Sequence, residues 1–403
     1  MSIELIPNDY LIKDFRDYKS FNKLTISNYK KNEVLKSFKD AIINYKLEDA
    51  SYFMVELHCS GYLKNILNEI NNIYINHIHL KNPSLLFYLN NKINYIFKKI
   101  IKYNKEQILL TRNSQEIRNI LIDIVSICTL SKKTNLFSNK FFPKIKEDHY
   151  ISEFIKKNKI SKNLDLIIPY INNECSSEII LALNEIINLL NIKNSYNKII
   201  FWIFWLIKIV KDKKKKNIDI ECFDLINNYT SNLNSNIRKK WEIHLWNIIL
   251  DKKIILNEFE YKYIFLLYTK YIDKLTNKNI NSKIHYLLIV LYILTMNINW
   301  NIKMINNEIQ ILESCCNINT IYGNIESFLK KNIYYNDNYN DKLKKYLIYE
   351  NEIMNLNNNN NKKSTNNKKK SSINKNQKNN KNYSDEINNI KLNLYSNLIC
   401  YKK

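Results

Sequence analysis

Three short clusters and two lysine runs hold the residues whose types and spacing could do chemistry. His58-Cys59 and His77-Ile78-His79 are the soft metal ligands that stand close in sequence, and Cys315-Cys316 is a vicinal thiol pair. Residues two apart on a helix face different ways, so His77 and His79 reach one metal only if the helix breaks there. Asn82-Pro83 supplies a break just beyond; packed or surface histidines are the competing reading. Cys315 and Cys316 diverge on a helix, which disfavours a disulfide or a shared metal. A catalytic thiolate needs a base and an electropositive niche, and no local pattern provides them. The acid pairs Glu48-Asp49, Glu147-Asp148 and Asp385-Glu386 fall where caps and loops are expected, and negative charge at a helix N-terminus is favourable in itself. No metal, cofactor or catalytic residue is assigned, and the chain reads as non-enzymatic.

The lysine runs point to phosphate. Lys211, Lys213, Lys214, Lys215 and Lys216 form one run, and residues 357–382 hold eight lysines without an acid, among them Lys362, Lys363, Lys368, Lys369 and Lys370. The two runs carry half of the formal net charge of +24. Arginine is confined to Arg16, Arg112, Arg118 and Arg238. Base-edge readout leans on the bidentate guanidinium, so sequence-specific recognition is not expected, whereas loose phosphate contact is. The surplus of Asn, Lys, Ile and Tyr is also what a very AT-rich genome writes at tolerant positions.

The elements that must position these residues are helices. Only Gly61 and Gly323 are glycines in 403 residues, and only four prolines occur. Phosphate loops, dinucleotide turns and nucleophile elbows each need several glycines at fixed places, which excludes those folds. Apolar residues recur at three and four residues from Asn32 onward. Val34, Phe38, Ala41 and Ile42 mark a first helix, and Leu47, Ala50, Met54 and Leu57 a second that Gly61 ends in left-handed conformation. A third runs from Leu63 to Ile78. A fourth follows Asn82-Pro83 as N-cap and first residue, and a fifth opens at an Asn113–Glu116 capping-box variant. Ser131 to Asp148 reads as a boundary. Further helices are expected at 162–172, 177–190, 196–210, 219–230, 236–250, 255–275, 282–297, 304–316, 322–333 and 340–354. The one at 196–210 is apolar on most sides, which places it inside a layer with Trp241 and Trp246 nearby.

Residues 357–382 are low-complexity Asn/Lys/Ser and cannot repay the entropy of ordering. A final amphipathic helix follows, with Ile387, Ile390, Leu394 and Leu398 on its apolar face; it folds back on the body or docks in a partner's groove. Met1 to Ser20 carries charges throughout and lacks the apolar core of a signal peptide. Ile199–Val210 and Tyr286–Met296 are too short to span a bilayer, which needs about 20 apolar residues. Sparse, unevenly spaced cysteines fit reduced thiols in a cytosolic or nuclear setting.

One stretch resembles a known family. Ala41, Leu47, Glu48, Asp49, Ala50, Tyr52, Phe53, Leu57, Ser60 and Gly61 follow a pattern of helix, acidic link, Ala-aromatic helix and Ser-Gly stop. That pattern is similar to the start of the C-terminal helical collar of replication-associated, clamp-loader-like AAA+ ATPases of the MgsA and Werner-helicase-interacting type. Ile78, Leu80 and Pro83 match a later turn of the family, where Asn82 replaces an acid and His79 stands in place of glycine. The likeness covers residues 34–100. Glu56-Leu57-x-Cys59-Ser60-Gly61 and His77-Ile78-His79-Leu80-x-Asn82-Pro83 are also similar to signatures of a protein group of large nucleocytoplasmic DNA viruses. The resemblance implies a collar that holds subunits together, here without the phosphate loop of the motor.

The expected architecture is all-α: an extension (1–31), a collar-like module (32–130), a linker (131–149), a longer solenoid-like array (150–356), a tether (357–382) and a terminal helix (383–403). The expected role is assembly or scaffolding in viral DNA replication, in the host cytoplasm or nucleus, through self-association or protein partners and weak nonspecific DNA contact, with no membrane insertion. A structural or virion-assembly protein with incidental charge is the alternative, and an enzyme with a dispersed site ranks last.

Overall fold

Helix after helix forms where the apolar spacing asks for it. The computed structural model describes residues 6–134, 167, 170, 175–217, 222, 224, 227–251, 257–275, 283–305 and 307–332. All belong to the first of two units into which the chain divides, Met1–Tyr335; the second, Asn336–Lys403, lies outside the described residues, as do the expected helices at 162–172 (in most part) and 340–354. The described residues are all-α, an array of helices with one isolated bridge between Leu24 and Lys30.

The first helices are α1 (Lys31–Ile43), α2 (Leu47–Cys59), α3 (Leu63–Ile73), α4 (Ser84–Ile100), α5 (Lys105–Leu110) and α6 (Gln115–Leu130). Val34, Phe38, Ala41 and Ile42 are buried on α1 and face α2 and α6. Gly61 ends α2 at φ +79, as its position implies; a Cβ there would also stand 2.9 Å from the Leu109 side chain. Beyond α3 the chain widens into a π turn, Tyr74–Ile78, and then tightens into a 3-10 turn, His79–Lys81. His79 takes φ 25 while buried, a conformation costly for a residue with a Cβ.

Neither expected side-chain cap forms: α4 has none, and at α6 another residue makes it. The Asn82 amide does not cap α4: Nδ2 donates to Ser131 Oγ (2.9 Å) and to the Met304 carbonyl (2.8 Å). At α6 the cap is Ser114, which accepts from the Ile117 amide. Asn113 exchanges two hydrogen bonds with the backbone of Ile12 instead, and Glu116 reaches Lys99 and Tyr95. Long-range partners outcompeted the local ones in both cases. A full capping box does form at α5, between Asn104 and Gln107. At the other end of α6, Lys133 Nζ donates to the carbonyls of Cys128, Thr129 and Ser131, which have no partner within the helix.

The later helices are α7 (Ser177–Leu190), α8 (Tyr196–Lys215), α9 (Ser235–Arg238), α10 (Trp241–Asp251), α11 (Glu258–Leu275), α12 (Ile284–Thr295) and α13 (Glu308–Asn332). Residues 227–230, expected in a helix, form a turn held by the Asn227 side chain. The segment 236–250 divides into α9 and α10. Conversely, the two helices expected at 304–316 and 322–333 are one. Ile311, Ile318, Tyr322, Ile325 and Leu329 form a continuous buried stripe, and packing along it overrides the poor helix formers at 317–320. Trp246 packs on Tyr268 and Tyr271 of α11, with ring centroids at 5.4 and 5.5 Å. α8 buries Ile199, Trp202, Ile203, Trp205 and Leu206 between α7 and α12. No helix of the described residues is long and apolar enough to cross a membrane.

α13 closes the array onto α2, α6 and the N-terminal extension. That extension, polar in composition, still places Ile12, Phe21 and Ile26 in the core. Gly323 is where the extension crosses α13: a Cβ there would stand 2.7 Å from the Tyr10 ring.

Candidate interaction surfaces and the buried polar hub

Both signature motifs are organising centres of the interior. In the first, Glu56 is buried and accepts from the Ser27 amide (2.9 Å) and hydroxyl (2.8 Å). Ser60 Oγ accepts from the Ile26 amide at 2.8 Å and donates to the Glu56 carbonyl. The next ring of contacts involves His58, wholly buried between Thr111, just past α5, and Tyr322 of α13. Thr111 donates its hydroxyl proton to the Ile108 carbonyl at 2.6 Å, so it accepts from His58 Nε2 at 3.0 Å; Nδ1 therefore accepts from Tyr322 Oη at 2.5 Å. The imidazole is neutral. Burial first, then the neighbouring Arg118 and Arg112, pull its pKa down to about 3.

Two arginines seal this hub. Arg112 donates to the carbonyls of Cys59 (3.1 Å) and Asp14. Arg118 donates to the carbonyls of Arg112 (2.7 Å) and Tyr10 (2.9 Å) and to Asn319 (2.9 Å), and its guanidinium lies 3.8 Å from the centre of the Tyr322 ring. Both are fully buried. The other two arginines are ion-paired instead, Arg16 with Asp14 at 2.6 Å and Arg238 with Asp224. The Cys59 thiol beside this hub is pushed up by burial, which leaves it protonated and unreactive.

The second motif joins α3 to distant segments. Tyr74 Oη reaches the carbonyls of His79 and Asn82 and Tyr263 Oη at 2.9 Å. The Thr134 amide donates to the His77 carbonyl at 2.7 Å, and His285 bonds Asn76. Burial depresses His79 to about 3 and His285 to about 4, and lowers His77. Among the described residues no three His, Cys, Asp or Glu side chains converge to hold a metal ion. Cys315 is half-buried, with its thiol raised by burial to about 11, and Cys316 is exposed; neither is in a disulfide.

Of the lysines expected to meet DNA, Lys211, Lys214, Lys215 and Lys216 are exposed in or just beyond the last turn of α8, where positive charge also suits the helix terminus. Lys213 is turned inward and pairs with Glu178 at 2.5 Å, and Lys215 lies 3.6 Å from Asp212. Lys362, Lys363, Lys368, Lys369 and Lys370, like Ile387, Ile390, Leu394 and Leu398, lie outside the described residues.

Two surface features escaped the sequence reading. A groove of about 480 Å³ runs between α3 and α4, lined by Lys64, Asn68, Asn94, Phe97, Lys98, Ile100 and Ile101. No run of charge marks it, because its two lysines come from different helices. On α13, Ile309 (71% exposed) and Leu312 (63% exposed) share a face with Cys316. The expected helix at 304–316 contains them, but its spacing alone does not say which of its faces is buried. No family model matches this chain, and no curated protein and no solved structure matches it.

Proposed function

We propose that this protein is a non-enzymatic helical assembly protein that contacts DNA weakly and without sequence preference. The observation that carries the reading is the division of labour between its cations. Each of the four arginines is engaged inside the fold, so lysines supply the outward charge: Lys211, Lys214 and Lys216 at the end of α8, and Lys64 and Lys98 beside α4. Lysine is a point charge that meets phosphate without reading bases. The clamp-loader-collar likeness of residues 34–100 supports DNA replication as the setting, and the likeness of the Glu56–Gly61 and His77–Pro83 signatures to a protein group of large nucleocytoplasmic DNA viruses supports a virus as its source. The chemistry-capable residues His58, Cys59 and His79 are buried in structural contacts, which supports a role without catalysis. A structural or virion-assembly role without nucleic acid is the second reading, favoured by the exposed Ile309 and Leu312 face.

Light-scattering mass together with DNA anisotropy, at low and high salt, on the full chain and on residues 1–356, tests this. A defined oligomer that survives high salt, with affinity falling steeply as salt rises and a shallower slope for 1–356, is expected. A monomer indifferent to DNA sinks the proposal. An oligomer indifferent to DNA selects the second reading.

A further inference from the structure

The α3–α4 groove has three chemical features side by side. Its rim is cationic: Lys64 and Lys98 are exposed, and neither has an ion-pair partner among the described residues. No carboxylate lines it. Its apolar lining is Phe97, Ile100 and Ile101, of which Ile100 is buried, Phe97 half-buried and Ile101 78% exposed. Asn68 and Asn94 add amide donors and acceptors at the edge. The helical register builds this arrangement, with Lys64 and Asn68 one turn apart on α3 and Asn94, Lys98 and Ile101 on successive turns along α4.

We propose that this groove binds single-stranded nucleic acid, with Lys64 and Lys98 on phosphates and a base against Phe97 and Ile101. The proposal rests on the phosphate-contact reading above and names the form of nucleic acid and the place. Each feature favours that ligand. Unpaired ammonium groups without a competing carboxylate call for a polyanion. A partly exposed apolar lining calls for a flat apolar face, which a single strand offers at every base and a duplex keeps inside its stack. The groove has the size of a small-ligand cleft. It is too short for the repeated anchors of a helical peptide laid along it. The asparagines accept or donate at base edges without selecting one base.

The test uses the full chain and anisotropy of a labelled oligothymidylate, an abasic strand of equal length and a blunt duplex. Oligothymidylate is expected to bind about tenfold tighter than the abasic strand, the effect of stacking a base. Lys64→Gln with Lys98→Gln is expected to lower the slope of log affinity against log salt by about 1.4, two single-strand phosphate contacts. Ile101→Asp, at an exposed position where folding is not at stake, is expected to erase the preference over the abasic strand. Equal binding of oligothymidylate, abasic strand and duplex overturns the groove as a base site. Competition by polyglutamate as effective as by oligothymidylate overturns it in favour of an acidic peptide. Binding that survives these substitutions but is lost in Lys211→Gln/Lys214→Gln/Lys216→Gln overturns the groove and leaves the general phosphate reading standing. No binding to any strand overturns both.

Discussion

His58 lies between two hydroxyls whose other partners determine its tautomer, and Tyr322 is its one donor. Tyr322→Phe keeps the ring under Arg118 and removes only that donor. A buried acceptor left without a partner costs about 1–3 kcal/mol, and a lowered urea midpoint with unchanged slope is the expected result. Arg118 presents a sharper case. Its planar fork serves Arg112, Tyr10 and Asn319 from three separate nitrogens, whereas an ammonium has all its donors on one nitrogen. Arg118→Lys is therefore expected to cost about 3 kcal/mol, whereas Lys98→Arg on the surface leaves the midpoint unchanged.

At the scale of elements, α13 does what no local signal announces. It runs unbroken through Asn317-Ile318-Asn319-Thr320 because its buried stripe continues on both sides. Its glycine, Gly323, is present for contact: the Tyr10 ring occupies the space a Cβ would need. Gly323→Ala gains helix propensity of about 1 kcal/mol but displaces Tyr10. The expected outcome is faster limited proteolysis within residues 6–20, with helix content unchanged by circular dichroism. Unchanged proteolysis would show that the ring yields without freeing the extension. The same logic explains the two missed caps. Asn82 and Asn113 have the residue type for a cap, but Ser131, Met304 and Ile12, far away in sequence, are the partners that hold them.

For the whole molecule, pH is the informative variable. His58 and His79 are held near 3, His285 near 4, and His77 is lowered, all chiefly by burial. Each titrates near 6.5 in the unfolded chain. A folded pKa below the unfolded one means stability fully present above about 6.5 and lost as pH falls through 6.5 toward the folded value. The unfolding free energy is expected to drop between pH 6.5 and 4, by about 1.4 kcal/mol per pH unit for each histidine that titrates only on unfolding, and the urea midpoint falls with it. His79→Gln is expected to flatten the drop. A midpoint constant from pH 7 to 4.5 would contradict the buried neutral state of these rings.

Periodicity of three and four residues determined α1 through α4 and α6, and glycine scarcity determined the fold class, because both act through local backbone geometry. Gly61 is the clearest single residue of this kind: its place after an apolar run specifies a left-handed stop, and φ +79 is what the chain adopts. Tertiary structure alone decided the rest. The docking of residues 6–30, the hub of His58, Arg112, Arg118 and Tyr322, and the merger of the last two expected helices all pair groups far apart along the chain. The groove of Lys64, Lys98 and Phe97 is of the same kind. Each of its helices carries an ordinary solvated lysine, and only the way the two helices lie together sets both cations beside one apolar lining. Such pairings depend on which helix faces lie together, and a linear pattern holds no term for that.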